Sequence, residues 1–141
     1  MLLALHACNR APTEPPPSRP SGALAPPPDP TRRPETIRAS HVLVMWRGSE
    51  RAPDNITRTR EEARARAEDV LRRARAGEPI AALASQYSDE PGAAQRGGDL
   101  NTFGHGQMVP PFERAAFALE VGQVSDIVET AFGFHVIKRT E

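Results

Sequence analysis

Residues 97–112 read GGDLNTFGHGQMVPPF, and more of the fold hangs on them than on any other stretch. Two adjacent glycines open it, so the chain turns there. Residues 99–103 (DLNTF) read as a short strand. Gly104 and Gly106 flank another turn. Pro110 and Pro111 suit the first turn of a helix, with Phe112, Ala115, Ala116 and Leu119 on one side and Gly122 at its end. Leu100, Phe103, Met108 and Phe112 are among the large apolar side chains of this loop-rich run. Ordinary core packing would account for Leu100 and Phe112; Met108, in a Gly-Gln-Met turn, is harder to explain that way.

Upstream, residues 37–46 (IRASHVLVMW) alternate and are β-branched enough to predict a strand. Ile37, Ala39, His41, Leu43 and Met45 share one face; Arg38, Ser40, Val42, Val44 and Trp46 share the other. Residues 47–57 form a polar loop. Thr59-Arg60-Glu61-Glu62 matches a capping box. Ala63, Ala67, Val70, Leu71 and Ala74 follow at helical spacing, and Gly77 closes that helix. Its remaining faces mix Arg with Glu61, Glu62, Glu68 and Asp69, which reads as a solvated surface and not a nucleic-acid site. Pro79 suits the start of a second helix with Ile80, Leu83, Ala84 and Tyr87 as its stripe. Residues 88–98 read as a loop. Downstream, residues 124–129 and 134–140 read as two strands joined around Gly133. The order strand, two helices, short strand, helix, two strands predicts an α+β domain with a small, mostly antiparallel four-stranded sheet surrounded by helices.

The 141 residues suffice for one such domain. Acidic and basic residues number 18 each, so no global field draws in nucleic acid or an anionic membrane. Ten of the fifteen prolines lie within residues 1–36. Residues 9–36 offer almost nothing to bury, which predicts a disordered, Pro-rich tether ahead of a domain at 37–141. The first eight residues, MLLALHAC, resemble the end of a bacterial lipoprotein signal, with a small residue before a cysteine that becomes lipidated. On that reading Cys8 carries the anchor, residues 1–8 are the signal's end, and the domain faces the periplasm as a lipoprotein. If MLLALHAC is not a signal, the chain is cytoplasmic. One cysteine leaves no disulfide framework.

From Ile37 to Glu141 the chain resembles the parvulin (PpiC, rotamase) family of peptidyl-prolyl cis/trans isomerases. The words that carry the resemblance come in order. They are Ala39-Ser40-His41-Val42-Leu43-Val44, Leu83 to Ser88, Gly97-Gly98-Asp99-Leu100 with Phe103, Gly106-Gln107-Met108, Pro111-Phe112, Ala116-Phe117, Gly122 to Ser125, and Gly133-Phe134-His135-Val136-Ile137. The resemblance implies a non-covalent isomerase acting on X-Pro bonds of unfolded or flexible client segments, with no cofactor. It implies that Leu100, Met108 and Phe112 form the pocket for the proline ring, that Gln107 lines its rim, and that His41 and His135 lie together beneath it. Read without the family, each histidine is a satisfied buried imidazole. No third ligand has metal-site spacing, so no metal is expected.

The resemblance also places Glu90 where the family carries a Cys or Asp facing the substrate amide, and Thr130 at a hydroxyl position near the histidines. Phe132 replaces a residue that is often small or polar. Phosphate-specific members hold a basic cluster after the first strand; Met45 and Glu50 stand at two of those positions. Arg51 is the weak remnant, and a phosphate needs several converging donors. No strong phosphate dependence is therefore expected. The competing reading is a catalytically weak, parvulin-like chaperone or binding module using the same groove. Expected partners are proline-containing peptide segments and no nucleic acid, with membrane contact only through Cys8 and a monomeric chain.

Overall fold

Strand β1 (Thr36–Val44) is the spine of the domain. A computed structural model describes residues 33–141. The expectations for Cys8, the signal-like octapeptide and the tether as far as residue 32 lie outside the described residues. After β1 come α1 (Arg60–Arg75), α2 (Ile80–Tyr87), a one-turn α3 (Ala93–Arg96), β2 (Asp99–Gly104), α4 (Pro110–Ala118), β3 (Val128–Thr130) and β4 (Gly133–Arg139). The sheet order is β2-β1-β4-β3, and every neighbouring pair is antiparallel.

Both faces of β1 are covered, which is why almost all of it is buried. On one face Val42 and Val44 join Phe134 and Val136 of β4, with Ala63, Ala67 and Val70 of α1 and Leu83 and Ala84 of α2. The alanines let α1 approach the sheet closely. On the other face Ile37, Ala39 and Ile137 pack against Phe103, Phe112, Ala116 and Leu119. Each large side chain buried here contributes roughly 1.5–3 kcal/mol. The capping box at α1 is present, with Thr59 and Glu62 exchanging side chain-to-backbone hydrogen bonds.

Several boundaries differ from expectation. Strand β1 already includes Thr36 and ends at Val44, two residues short of Trp46. Helix α3 sits inside the segment expected to be all loop; four residues between two left-handed glycines are too few to show a helical period. Helix α4 ends at Ala118, ahead of Gly122. The strand expected over 124–129 is reduced to Val128–Thr130. The Ser125 hydroxyl accepts the Ile137 N–H at 3.1 Å, so a side chain takes over a ladder position there. Val124 contributes a single bridge to Lys138.

Candidate active site

The site begins with strand register. His41 pairs with Ile137 and Leu43 pairs with His135 across β1 and β4. The two histidines are therefore diagonal neighbours on one face, close enough for their rings to meet. Their Nδ1 atoms lie 3.1 Å apart, with ring planes 14° from parallel. Each is 4% exposed.

Gly98 makes room for this. A Cβ there would lie 2.3 Å from the carbonyl oxygen of His41. Without it, the chain entering β2 comes close enough for the His41 N–H to donate to the Gly98 carbonyl at 3.0 Å. Gly133 does the same at the start of β4, where a Cβ would sit 2.3 Å from the Val44 carbonyl oxygen.

A hydrogen-bonded row runs through the pair. Glu90 Oε2 lies 2.9 Å from His41 Nε2. Thr130 Oγ1 lies 2.7 Å from His135 Nε2 and also accepts the Phe132 N–H at 3.2 Å. The His41 hydrogen bond holds the Glu90 carboxyl below the usual carboxylate range; burial opposes this, and Arg96 and His135 add smaller favourable effects. Burial pushes His135 down to about 3, with the neighbouring His41 adding to the shift. An ionised Glu90 makes His41 Nε2 a donor. If each imidazole carries one proton, His41 Nδ1 accepts from His135 Nδ1–H, and His135 Nε2 then accepts from the Thr130 hydroxyl. Every donor in the row points toward Glu90, and every ring nitrogen is paired.

Glu90 is brought into place by the residues before it. The Ser88 hydroxyl accepts the Leu43 N–H at 3.1 Å, and the Asp89 N–H donates to the Leu43 carbonyl at 2.8 Å. Asp89 Oδ2 accepts from the Met45 N–H at 2.9 Å and from Arg58. Arg58 also reaches the Met45 carbonyl at 3.0 Å. Residues 47–57 read as a polar loop and Thr59 onward as a helix cap, a reading that gave Arg58 no role; its partner Asp89 lies thirty-one positions away.

Above the histidines is a cleft of about 480 Å³. Leu100, Met108 and Phe112 all line it, together with His41, His135, Glu90, Gln107, Arg51, Arg96 and Phe132. The Phe112 ring stands edge-on to both imidazoles, 5.5 Å from His41 and 5.3 Å from His135. Phe112 belongs at once to the core and to the cleft wall, while Leu100 and Met108 are only partly buried. Thr130 stays behind His135, outside the cleft lining.

A family model described as the PPIC-type PPIASE domain matches residues 29–141. The chain belongs to the PpiC-type peptidyl-prolyl isomerase family. The foldase protein PrsA of a Geobacillus species is 47% identical over 105 residues, covering 74% of this chain and 32% of that protein. The peptidyl-prolyl cis-trans isomerase Pin1 of Digitalis lanata is 45% identical over 116 residues, covering 75% of this chain and 97% of that one. Among solved structures, the peptidyl-prolyl isomerase ESS1 from Candida albicans superposes with a TM-score of 0.71 at 42% identity, over 76% of this chain and 63% of that one. PrsA from Bacillus subtilis superposes with a TM-score of 0.60 at 39% identity, over 76% of this chain and 35% of that one. The PpiC-type domain thus corresponds to about a third of the PrsA proteins it matches, and to nearly the whole of the plant isomerase.

Two cations line the cleft of this PpiC-type domain. Arg51 has φ +62°, a left-handed backbone, and its guanidinium lies 5.7 Å from the centre of the Phe132 ring. Arg96 lies 3.1 Å from Glu90 Oε2. Gln107 is at the rim, but its Oε1 already accepts the Gly104 N–H at 2.9 Å, which leaves only its amide NH₂ to face a ligand. Met45 is buried in a small cluster with Leu43 and Ile56. Among the described residues no group of three or more His, Cys, Asp or Glu side chains is arranged to hold a metal ion.

Proposed function

We propose that this domain accelerates cis/trans isomerisation of X-Pro bonds in unfolded or flexible client segments, without requiring a phosphate before the proline. The observation that carries the reading is the apolar cleft formed by Leu100, Met108 and Phe112 over a buried, hydrogen-bonded histidine pair.

The reaction breaks no bond. Its barrier of about 18–20 kcal/mol comes from the C–N double-bond character of the amide, and spontaneous exchange takes tens to hundreds of seconds. A catalyst must bind the twisted amide better than the planar one. The planar form is the more charge-separated, so an apolar wall solvates it poorly. A proline ring seated against Leu100, Met108 and Phe112 is held while the residue before it rotates. A thousandfold acceleration takes only about 4 kcal/mol of such preference. The histidines act as a fixed wall: their protons are committed within the row, and neither ring needs to give one up.

Phosphate independence is supported by the residues after β1. Buried Met45 supplies no charge, Glu50 adds a negative one, and Arg96 is occupied by Glu90. A protease-coupled assay on a panel of Ala-Xaa-Pro-Phe peptides tests the reading. The expected result is turnover of neutral and apolar Xaa, with phospho-Ser preferred by less than about tenfold. A rate equal to the uncatalysed one across the panel favours the alternative, a binding module or chaperone that uses the cleft without turnover.

The same proposal places the domain outside the cytoplasm, held by a lipid on Cys8. It is supported by the Leu-His-Ala-Cys run at residues 5–8 and by the likeness to foldase proteins. Mass analysis of the N-terminus decides the anchor: a diacylglyceryl adduct on Cys8 is expected, whereas an intact Met1 with unmodified Cys8 supports the cytoplasmic alternative.

A further inference from the structure

Glu90 has a long side chain for a group that must fix the end of a hydrogen-bonded row. A glutamate has three side-chain torsions, and a single hydrogen bond to His41 leaves its carboxylate free to swing about that contact. A second restraint is present. Glu90 Oε2 is shared between His41 Nε2 at 2.9 Å and Arg96 Nη2 at 3.1 Å. The Arg96 side chain is partly exposed, at 42%, but not free. It folds back over the turn that precedes α3, and Nη1 reaches the Pro91 carbonyl at 3.4 Å.

Gly92 makes that path available. A Cβ at this position would lie 2.8 Å from Arg96 Nη1, and the backbone φ of +79° independently favours glycine. The Arg96 N–H donates to the Gly92 carbonyl at 3.2 Å, fixing the root of the side chain above the turn its head lies on. Backbone, carbonyl and carboxylate thus converge on one guanidinium placement.

We propose that Arg96 is a positioning residue for Glu90: its guanidinium holds the carboxylate against His41 Nε2 and thereby sets the direction of the hydrogen-bonded row that ends at Thr130. The assignment rests on the isomerase reading for its kinetic consequence but not for its spectroscopic one. The charged and titratable groups facing Glu90 are His41 from β1, His135 from β4 and Arg96 from α3, with Arg51 lining the same cleft. Arg51 sits over Phe132 and has no carboxylate ion pair among the described residues. Arg96 is therefore the cation positioned to hold the carboxylate.

The sequence could not announce this. Arginine in the last turn of a short helix ordinarily offsets the C-terminal end of the macrodipole. If that were the whole role of Arg96, its loss would lower stability slightly and leave the carboxylate and imidazoles unchanged.

The test uses the full chain as wild type, Arg96→Gln and Arg96→Lys. The Glu90 carboxyl carbon is followed by ¹³C NMR across pH, the His41 and His135 tautomers by ¹⁵N NMR, and kcat/KM across the same pH range on a neutral Xaa-Pro peptide. In Arg96→Gln the Glu90 titration is expected to move up by about half a pH unit, the shift an exposed ion pair supports. The acid side of the kcat/KM profile should move with it, a loss of about threefold at fixed acidic pH, with KM nearly unchanged. Arg96→Lys should restore most of both shifts. Superimposable Glu90 titrations in wild type and Arg96→Gln, with both variants folded by their amide spectra, would overturn the assignment. If the wild type shows no turnover, the isomerase reading fails while the carboxyl titration still decides the role of Arg96.

Discussion

Which ring nitrogen carries a proton decides how the two buried histidines behave. With Glu90 ionised and one proton on each imidazole, the row from Thr130 to Glu90 has one arrangement in which every polar atom is paired. Removing a member at the closed end tests it. Thr130→Val deletes the donor to His135 Nε2 and leaves a buried acceptor unpaired, a cost of about 1–3 kcal/mol. Urea denaturation should show that loss, and ¹⁵N NMR should show a changed tautomer mixture at His135. An unchanged tautomer would contradict the assigned direction. Much at this scale was legible in advance, because His41, Glu90, Thr130 and His135 stand at positions a family pattern marks. The side chains that hold them were not. Arg58 meets Asp89 across thirty-one positions, and Arg96 meets Glu90 through a turn whose shape depends on Gly92. Neither contact leaves a periodic trace in the sequence.

Among elements, the junction of β2 with α4 sets the cleft's outer wall. The turn carrying Met108 is tied down at three points. The Gly104 N–H donates to Gln107 Oε1 at 2.9 Å, the Gly106 N–H donates to Glu113 Oε1 at 3.1 Å, and His105 Nδ1 meets the same Glu113 oxygen at 2.7 Å. His105 also stacks on Phe117, ring centres 4.1 Å apart. Glu113→Ala frees two of those ties at a partly buried side chain whose partner His105 is exposed. Stability should fall by less than about 1 kcal/mol, while KM for an Xaa-Pro peptide rises several-fold because Met108 is no longer held at the rim. Equal KM values would mean the turn does not shape the pocket. The inner wall is less tolerant. Gly98→Ala puts a methyl 2.3 Å from a backbone oxygen that cannot move without shifting β1. A loss above about 3 kcal/mol is expected, measurable by chemical denaturation. The strands and helices with strong periodicity, β1, α1 and α2, could be read from residue spacing. Helix α3 and the shortened β3 could not: one is a single turn, and in the other a serine hydroxyl replaces the ladder.

For the whole domain, the buried row makes stability depend on pH. His135 is depressed in the folded state to about 3 from an ordinary 6.5, and Glu90 is also lowered. A depressed histidine is fully stabilising above its unfolded value. As pH falls below about 6.5 the unfolded chain takes up a proton that the folded chain refuses, and stability declines by up to about 1.4 kcal/mol per pH unit until the folded value is reached. Glu90 adds to the decline at lower pH, from its ordinary value of 4.5 downward through its folded one. Denaturation midpoints at pH 7.5, 6.0 and 5.0 should fall in that order, and His135→Asn should flatten the trend between 6.5 and 5. A midpoint that rises on acidification would contradict a neutral His135.

Prolyl exchange itself is the most direct measurement. Exchange NMR on an unphosphorylated Ala-Ala-Pro-Phe peptide, with the full chain at catalytic concentration, gives the cis-to-trans rate without a coupling protease. The rate is expected to exceed the spontaneous one by at least a hundredfold, and to fall at least tenfold when Met108 and Phe112 are both replaced by Ala in a chain that remains folded. An exchange rate indistinguishable from peptide alone, from a folded protein with the His41–His135 contact intact, would contradict the claim that this cleft eases rotation about the prolyl bond.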